Sequence, residues 1–317
     1  MVRIALIGCG EHSEVGHAVP LARYKSQHPQ DVELAAVCDL REERARYFCE
    51  RYAFQRSYSD VDRMLGEEKL DVCIAVVPVP AIAELGIKLL QRKITCVVEK
   101  PLGASLSEIT ALRDAAVTCA TPNMVSVNRR FMPLLNRALE WIKGAGKLRY
   151  VRALMTRHAR TEPQFLWETG VHAIDTMRYI GGDVAHASIR EIAATDSRWY
   201  GIDLEFASGA TGRVDVLPSS GVLEETYELI GDGFRAIVTS PFGPARGLSC
   251  YQENQLVLQL TDRDMSEDEV FGFYDEAAAL IHALKEGKPL QPTIEDVYPS
   301  VELCLELAKR LNVPAGS

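Results

Sequence analysis

The sequence predicts an α/β protein of two domains. Residues 1–124 form a doubly wound parallel sheet, and residues 125–317 an α+β domain on a large, mainly antiparallel sheet. Three observations carry that prediction. The chain has 317 residues, more than the roughly 100–200 that one ordinary domain uses. Its first part alternates short, continuously apolar runs with charged helical stretches, the pattern of strands covered on both faces by crossover helices. Its later part replaces that rhythm with short alternating strands separated by hairpin-type turns.

The elements follow in order. "RIALIG" (3–8) is a first strand, and "VPLARYKSQH" (19–28) has helical period. "VELAAVCD" (32–39) is a second strand, followed by the charged helix "REERARYFCERY" (41–52). "DVCIAVVP" (71–78) and "ITCVVEKP" (94–101) are further strands, with the helix "IAELGIKLLQRK" (82–93) between them. "SLSEITALRDAAVTC" (105–119) is another helix and "NMVSVN" (123–128) another strand. The second half opens on a helix, "PLLNRALEWIKGA" (133–145), that leads into an alternating strand, "LRYVRALMTRH" (148–158). A helix holding "ETGVHAID" (168–175) ends at Gly181-Gly182. Short strands follow in "IREIAATD" (189–196), "WYGIDLEFAS" (199–208), "TGRVDVLP" (211–218), "TYELIGDGFRAIVTS" (226–240) and "LVLQL" (256–260), with turns at Ser208-Gly209 and Gly231-Asp232-Gly233. Two helices close the chain, "DEVFGFYDEAAALIHALKEG" (268–287) and "IEDVYPSVELCLELAKRL" (294–311).

Composition narrows the function classes. Apolar residues make up 47% and charged residues 25%, as in ordinary globular chains. The net charge of −9 argues against nucleic acid as the main partner, because a phosphate-tracking surface needs a basic excess. None of the eight cysteines forms a C-x-x-C pair, and most sit in apolar runs. Reduced, buried thiols and a cytoplasmic protein are expected. "MVRIALIGCG" is too short for a signal peptide or a membrane span and reads as the first strand, so no membrane partner is expected.

The first strand runs into "GCGEHSEVGH" (8–17). Gly8-x-Gly10 at a strand end, opening a helix, is a dinucleotide-binding signal: glycines admit the pyrophosphate and the helix N-terminus faces its charge. A simple strand–helix turn is the plain alternative. Ser13 stands where the third glycine of that fingerprint belongs. Gly8, Gly10, Glu11, His12 and Ser13 are thus candidate cofactor contacts. The second strand ends at Asp39, whose carboxylate suits ribose hydroxyls and repels a 2′-phosphate; Arg41, two residues on, suits that phosphate. NAD is favoured over NADP. Asp39 is also a candidate N-cap for the next helix. Glu99 and Lys100 stand at the C-terminal end of another parallel strand, where ligands of doubly wound sheets sit, and the Lys100–Pro101 bond is a candidate cis peptide. Pro78 ends the strand between them.

In "ETGVHAID", Glu168, His172 and Asp175 are spaced i, i+4, i+7. In a helix they share an arc of about 60°, which is either a solvated face or a histidine tuned to move a proton.

Taken together, Gly8–Gly10, Asp39, Glu99-Lys100-Pro101, Asn128-Arg129-Arg130-Phe131 and Gly170-Val171-His172-Ala173-Ile174-Asp175, with the closing run "EGKPLQPTIEDVYPSVELCLELAKRL", resemble the Gfo/Idh/MocA oxidoreductase family. The resemblance implies a Rossmann domain and a dehydrogenase that moves hydride between nicotinamide and a hydroxyl-bearing carbon of a sugar, cyclitol or related polyol. It implies His172 as acid/base, Lys100 as a second polar clamp, and Asn128 and Arg130 on the nicotinamide or substrate edge. Glu168 stands where the family commonly has an aspartate, Val77 and Ile82 replace a threonine and a histidine, and the glycine loop runs one residue longer before His17. Two other readings remain open: a redox-neutral enzyme that oxidises, eliminates and re-reduces a sugar, and a non-catalytic dinucleotide-binding protein. In the resembled family the second-half sheet commonly forms a subunit contact, which implies a homodimer or homotetramer. Trp167 and Asp175 are weaker substrate candidates. So is His158, which alternates with Thr156 and Arg160 on one strand face. With no H-x-x-x-H pair or cysteine cluster, no metal is expected.

Overall fold

The structure is a computed structural model, and it describes residues 1–195 and 197–314. In chain order the first elements are β1 (Val2–Ile7), α1 (Glu11–Ser13), a π-helical turn (Glu14–Ala18), α2 (Val19–Gln27), β2 (Val32–Cys38), α3 (Glu42–Tyr52), β3 (Arg56–Tyr58), α4 (Val61–Glu67), β4 (Val72–Ala75), α5 (Val79–Gln91), β5 (Cys96–Glu99), α6 (Leu106–Cys119) and β6 (Asn123–Ser126). A 3₁₀ turn (Asn128–Phe131) leads to α7 (Pro133–Ala145), β7 (Leu148–Thr156), α8 (Phe165–Glu168) and α9 (Val171–Gly181). Then come β8 (Val184–Ile192), β9 (Trp199–Phe206), β10 (Thr211–Leu217), β11 (Glu224–Gly231), β12 (Phe234–Thr239), β13 (Gly247–Gln252), β14 (Gln255–Leu260), α10 (Glu267–Val270), α11 (Phe273–Glu286) and α12 (Ile294–Arg310).

The chain divides into two compact units. Among the described residues, Met1–Val127 and Phe273–Pro299 make the first, and Asn128–Gly272 with residues 300–314 the second. The sequence reading placed one cut at 124/125. The first unit is instead discontinuous, because residues 273–299 complete it. Val125 N donates to Pro292 O at 2.8 Å and Ile294 N to Asn123 Oδ1 at 2.8 Å. α11 packs on α2, burying Ala277, Leu280 and Ile281.

The first unit's sheet runs β3-β2-β1-β4-β5-β6, every pair parallel. Strand order reverses at β1, so a crevice opens beyond the C-terminal ends of β1 and β4. β1 is apolar on both faces because helices cover both. Its exception, Arg3, pairs with Glu33 and with the buried Glu68. The short edge strand β3 and helix α4 escape sequence reading: a strand of three residues has no measurable period.

The second unit's sheet runs β14-β13-β12-β11-β7-β10-β9-β8. Its pairs are antiparallel except β7 with β10. Alternate residues of β10 are buried, as a one-faced sheet requires. The run 226–240 is the hairpin β11–β12 around Gly231-Asp232-Gly233, as its turn residues imply. β13 was not read from the sequence.

Three sequence-based elements are corrected. The helix expected through 168–175 is two: α8 ends at Glu168, and α9 begins at Val171 after Gly170. A Cβ on Gly170 would lie 2.3 Å from Leu166 O, so only glycine lets the chain fold back so tightly there. The helix expected over 268–287 is two: α10 ends at Val270, and the chain turns at Gly272 (φ +79°) before α11 resumes the first unit at Phe273. β7 stops at Thr156, so His158 and Arg160 lie beyond the strand on an exposed segment and share no face with Thr156. Of the strand expected over 189–196, Asp196 lies outside the described residues.

Candidate active site

The glycine turn is built for a close approach. Gly8 has φ +93°, and a Cβ there would sit 1.9 Å from Val76 O at the end of β4. Gly10, which opens α1, is different: a Cβ would meet nothing within 4 Å. Space beside Gly10 is left open by the protein itself, and that is what a phosphate against the backbone needs. Ser13 is fully buried, and its Oγ donates to Gly8 O at 2.5 Å. The hydroxyl thereby ties the turn together where a third glycine would only fit. At the end of β2, Asp39 accepts from Cys9 N at 2.7 Å and from Arg41 N at 2.9 Å. Those bonds fix the carboxylate beside the turn and leave further lone pairs for ribose hydroxyls. Arg41 is largely exposed and contacts Asp39 at 3.4 Å. Glu11 and Pro78 are exposed at the rim.

Glu99, the last residue of β5, is 4% exposed. Its Oε1 meets His12 Nε2 at 3.1 Å and His17 Nε2 at 2.7 Å, and its Oε2 accepts from Lys100 N at 3.2 Å. Burial pushes the Glu99 carboxyl up, but the charge and hydrogen bonds of His12 and His17 outweigh it and hold it well below the usual carboxylate range. The two histidines reach one oxygen because of the π-helical turn, where Val19 N donates to Glu14 O. In an α-helix residues five apart diverge by about 140°, and i→i+5 bonding brings them back toward one side.

Behind the cluster lies Glu276 of α11. Its Oε2 accepts from Ser126 Oγ at 2.9 Å, while among the described residues its buried Oε1 has no hydrogen-bond partner. Burial, then the charge of Glu99, pushes its carboxyl up to about 8. A cavity of about 10 Å³, lined by His17, Ile74, Met124, Phe273 and Glu276 among others, has the size of a single water.

Lys100 is half-buried and precedes a cis peptide bond to Pro101. His172 lies in the first turn of α9 and is 8% exposed. Glu168 is half-buried on the preceding helix. The three candidate catalytic residues therefore sit on β5's end, α9 and α8, with Lys100 in the first unit and the other two in the second. Several weaker candidates are committed to holding the second unit together. Asp175 is 1% exposed. It takes a two-pronged ion pair from Arg130 at 2.8 and 2.7 Å and a hydrogen bond from Ser300 Oγ at 2.7 Å. Asn128 donates to Phe271 O at 2.7 Å. Trp167 is fully buried with its indole N–H on Pro314 O at 3.1 Å, so it belongs to the core and not to a substrate pocket. His158 is exposed.

Sequence reasoning missed His17 as a partner of Glu99 and Glu276 as a second buried carboxyl beside it. The H-x₄-H spacing carries no signal for an α-helix, and Glu276 sits in a stretch that looks like an ordinary helix surface. It also missed Glu225, which is fully buried between Arg129 (2.9 Å) and Arg157 (2.5 Å). Burial pushes the Glu225 carboxyl up, but the two guanidiniums outweigh it and hold it low.

Residues 2–128 match the profile of an oxidoreductase family with an NAD-binding Rossmann fold, Gfo/Idh/MocA. A D-apiose dehydrogenase of Paraburkholderia graminis is 28% identical over 208 residues, covering 61% of this chain and 52% of that protein. A myo-inositol 2-dehydrogenase of Thermotoga maritima is 25% identical over 232 residues, 68% of each chain. The match thus spans about half the length of the first of these relatives and about two thirds of the second. A solved dehydrogenase structure from Chromobacterium violaceum superposes with a TM-score of 0.84 at 19% identity, over 98% of this chain and 95% of that one. That likeness carries the fold of the whole chain.

Proposed function

We propose, from a chain whose residues 2–128 match the NAD-binding domain of the Gfo/Idh/MocA oxidoreductases, that this protein is an NAD(P)-dependent dehydrogenase of a small polyhydroxylated substrate, a pentose or a cyclitol. The observation that carries the reading is the turn at Gly8–Ser13. One side of Gly10 is left open and the Asp39 carboxylate is fixed beside it, within a domain whose relatives are named as sugar and inositol dehydrogenases.

The cofactor supplies the hydride acceptor or donor. Gly8, Gly10 and Ser13 shape its phosphate cradle, and Asp39 meets the adenosine ribose. On substrate oxidation a hydroxyl proton must leave as the carbon gives up hydride, so that an alcohol becomes a carbonyl. His172 takes that proton. Lys100 donates a hydrogen bond to the same oxygen and stabilises the charge that develops on it. Reduction runs these roles backward. The sheet of the second unit, with Leu256 and Val257 half-exposed on its edge strand β14, is proposed as the contact of a homodimer or homotetramer. Sedimentation as a monomer at micromolar concentration would count against that.

Purified protein incubated with NAD or NADP and a panel of pentoses and inositols is expected to form reduced nicotinamide with at least one of them. His172→Asn should lower turnover by roughly 10²–10⁴-fold and leave NADH affinity within about threefold. Silence across the whole panel, or unchanged turnover in the variant, would remove the reading.

A further inference from the structure

We propose that His12, His17 and Glu99 form a binding site for a divalent transition-metal ion of the zinc class. The inference does not use the dehydrogenase reading. One ligand atom from each residue lies within 4.8 Å of the others, and both imidazole Nε2 atoms converge on one carboxylate oxygen at 3.1 and 2.7 Å. A tetrahedral ion with bonds of about 2.0–2.1 Å needs neighbouring ligand atoms roughly 3.3–3.4 Å apart. The His12–Glu99 pair would open by about 0.2–0.3 Å and the His17–Glu99 pair by about 0.6–0.7 Å, while the two ring nitrogens already lie within 4.8 Å of each other. His12, whose side chain is half-exposed, gives the ion its entry path and the freedom to make that adjustment.

The chemistry of the set selects the ion. Two imidazoles and one carboxylate without a thiolate suit zinc, nickel, cobalt or copper and are poor for calcium or magnesium, which take all-oxygen shells. Both rings would present the Nε2 lone pair and carry their proton on Nδ1. Glu276, 4% exposed with its Oε1 unpartnered among the described residues, adds a second buried carboxyl beside His17. A dication answers the demand for positive charge from the buried Glu99 carboxylate. The π-helical turn assembles the site, since it lines up two histidines five residues apart.

The test is a cobalt titration of the full chain after chelator treatment. One cobalt per chain is expected, with visible d–d absorption and without a thiolate-to-cobalt charge-transfer band, and zinc should displace it. His12→Gln should weaken binding at least tenfold. Glu43→Gln, which changes an exposed carboxylate outside the cluster, should leave the affinity unaltered. His17→Gln serves as the second ligand variant if circular dichroism shows it folded. No binding at micromolar metal, a thiolate band, an unchanged affinity in His12→Gln, or an equal loss in Glu43→Gln would each overturn the site.

Discussion

At the scale of residues, the two glycines of the cradle separate stability from binding. Gly8→Ala forces a Cβ into Val76 O at a positive φ, so it should destabilise the fold by about 3 kcal/mol or more, or prevent folding. Gly10→Ala meets no protein atom. It should leave the urea midpoint nearly unchanged while NADH affinity, read by fluorescence titration, falls at least tenfold. Asp39 gives a second contrast. Asp39→Asn keeps an acceptor for Cys9 N but removes the charge, so NADH affinity should fall several-fold and NADPH affinity should fall less or rise. An unchanged ratio of the two would deny Asp39 its role in choosing the cofactor. The Arg130–Asp175 pair is both buried and two-pronged. Asp175→Asn therefore leaves a guanidinium short of its counter-charge, at a cost of about 3–5 kcal/mol in chemical denaturation.

At the scale of elements, what was legible follows physical period. Strands buried on both faces and helices of several turns announce themselves through apolar runs and 3.6-residue spacing, and α7 coincides end to end with the stretch read for it. The Gly8-x-Gly10 turn, Asp39 and the Glu99-Lys100 strand end were readable because local sequence alone builds them. Three kinds of feature were not. The break at Thr169-Gly170 was hidden because spacing i, i+4, i+7 looks the same whether or not one helix spans it. It takes Glu168 off the helix that carries His172. The Glu99 cluster was hidden because a π-helical turn has no recognised signature and because its partners lie 82 and 87 residues apart in the chain. The Glu225 cluster was hidden because Arg129 and Arg157 look like surface cations until β7, β11 and the 3₁₀ turn enclose them.

At the scale of the whole molecule, acid stability is set in part by Glu225. Its carboxyl is held low in the folded protein, so the stability it contributes is full above the unfolded value near about 4.3 and is lost as pH falls through the folded value. Glu225→Gln should lower the melting temperature strongly at pH 7, and the gap to wild type should shrink as pH falls below about 4. A constant gap across that range would show that shape, not charge, accounts for the loss. Glu276 works in the opposite sense. Its carboxyl is raised to about 8, so its favourable contribution is complete below about pH 4.3 and fades as pH rises through 8.

The discontinuity of the first unit has a consequence for biosynthesis. Residues 1–127 leave the ribosome early, but the segment that covers α2 and caps β6 at Asn123 and Val125 comes only with residues 273–299. The nascent parallel sheet must wait, one flank uncovered, while the entire antiparallel sheet is translated. Such waiting states expose apolar surface and draw chaperones. A fragment ending at Val127 is accordingly expected to bind a hydrophobic dye and to melt without a cooperative transition, and adding residues 273–299 on a short tether should abolish the dye binding and give a cooperative transition. The parallel sheet, translated before the antiparallel one, is thus finished after it.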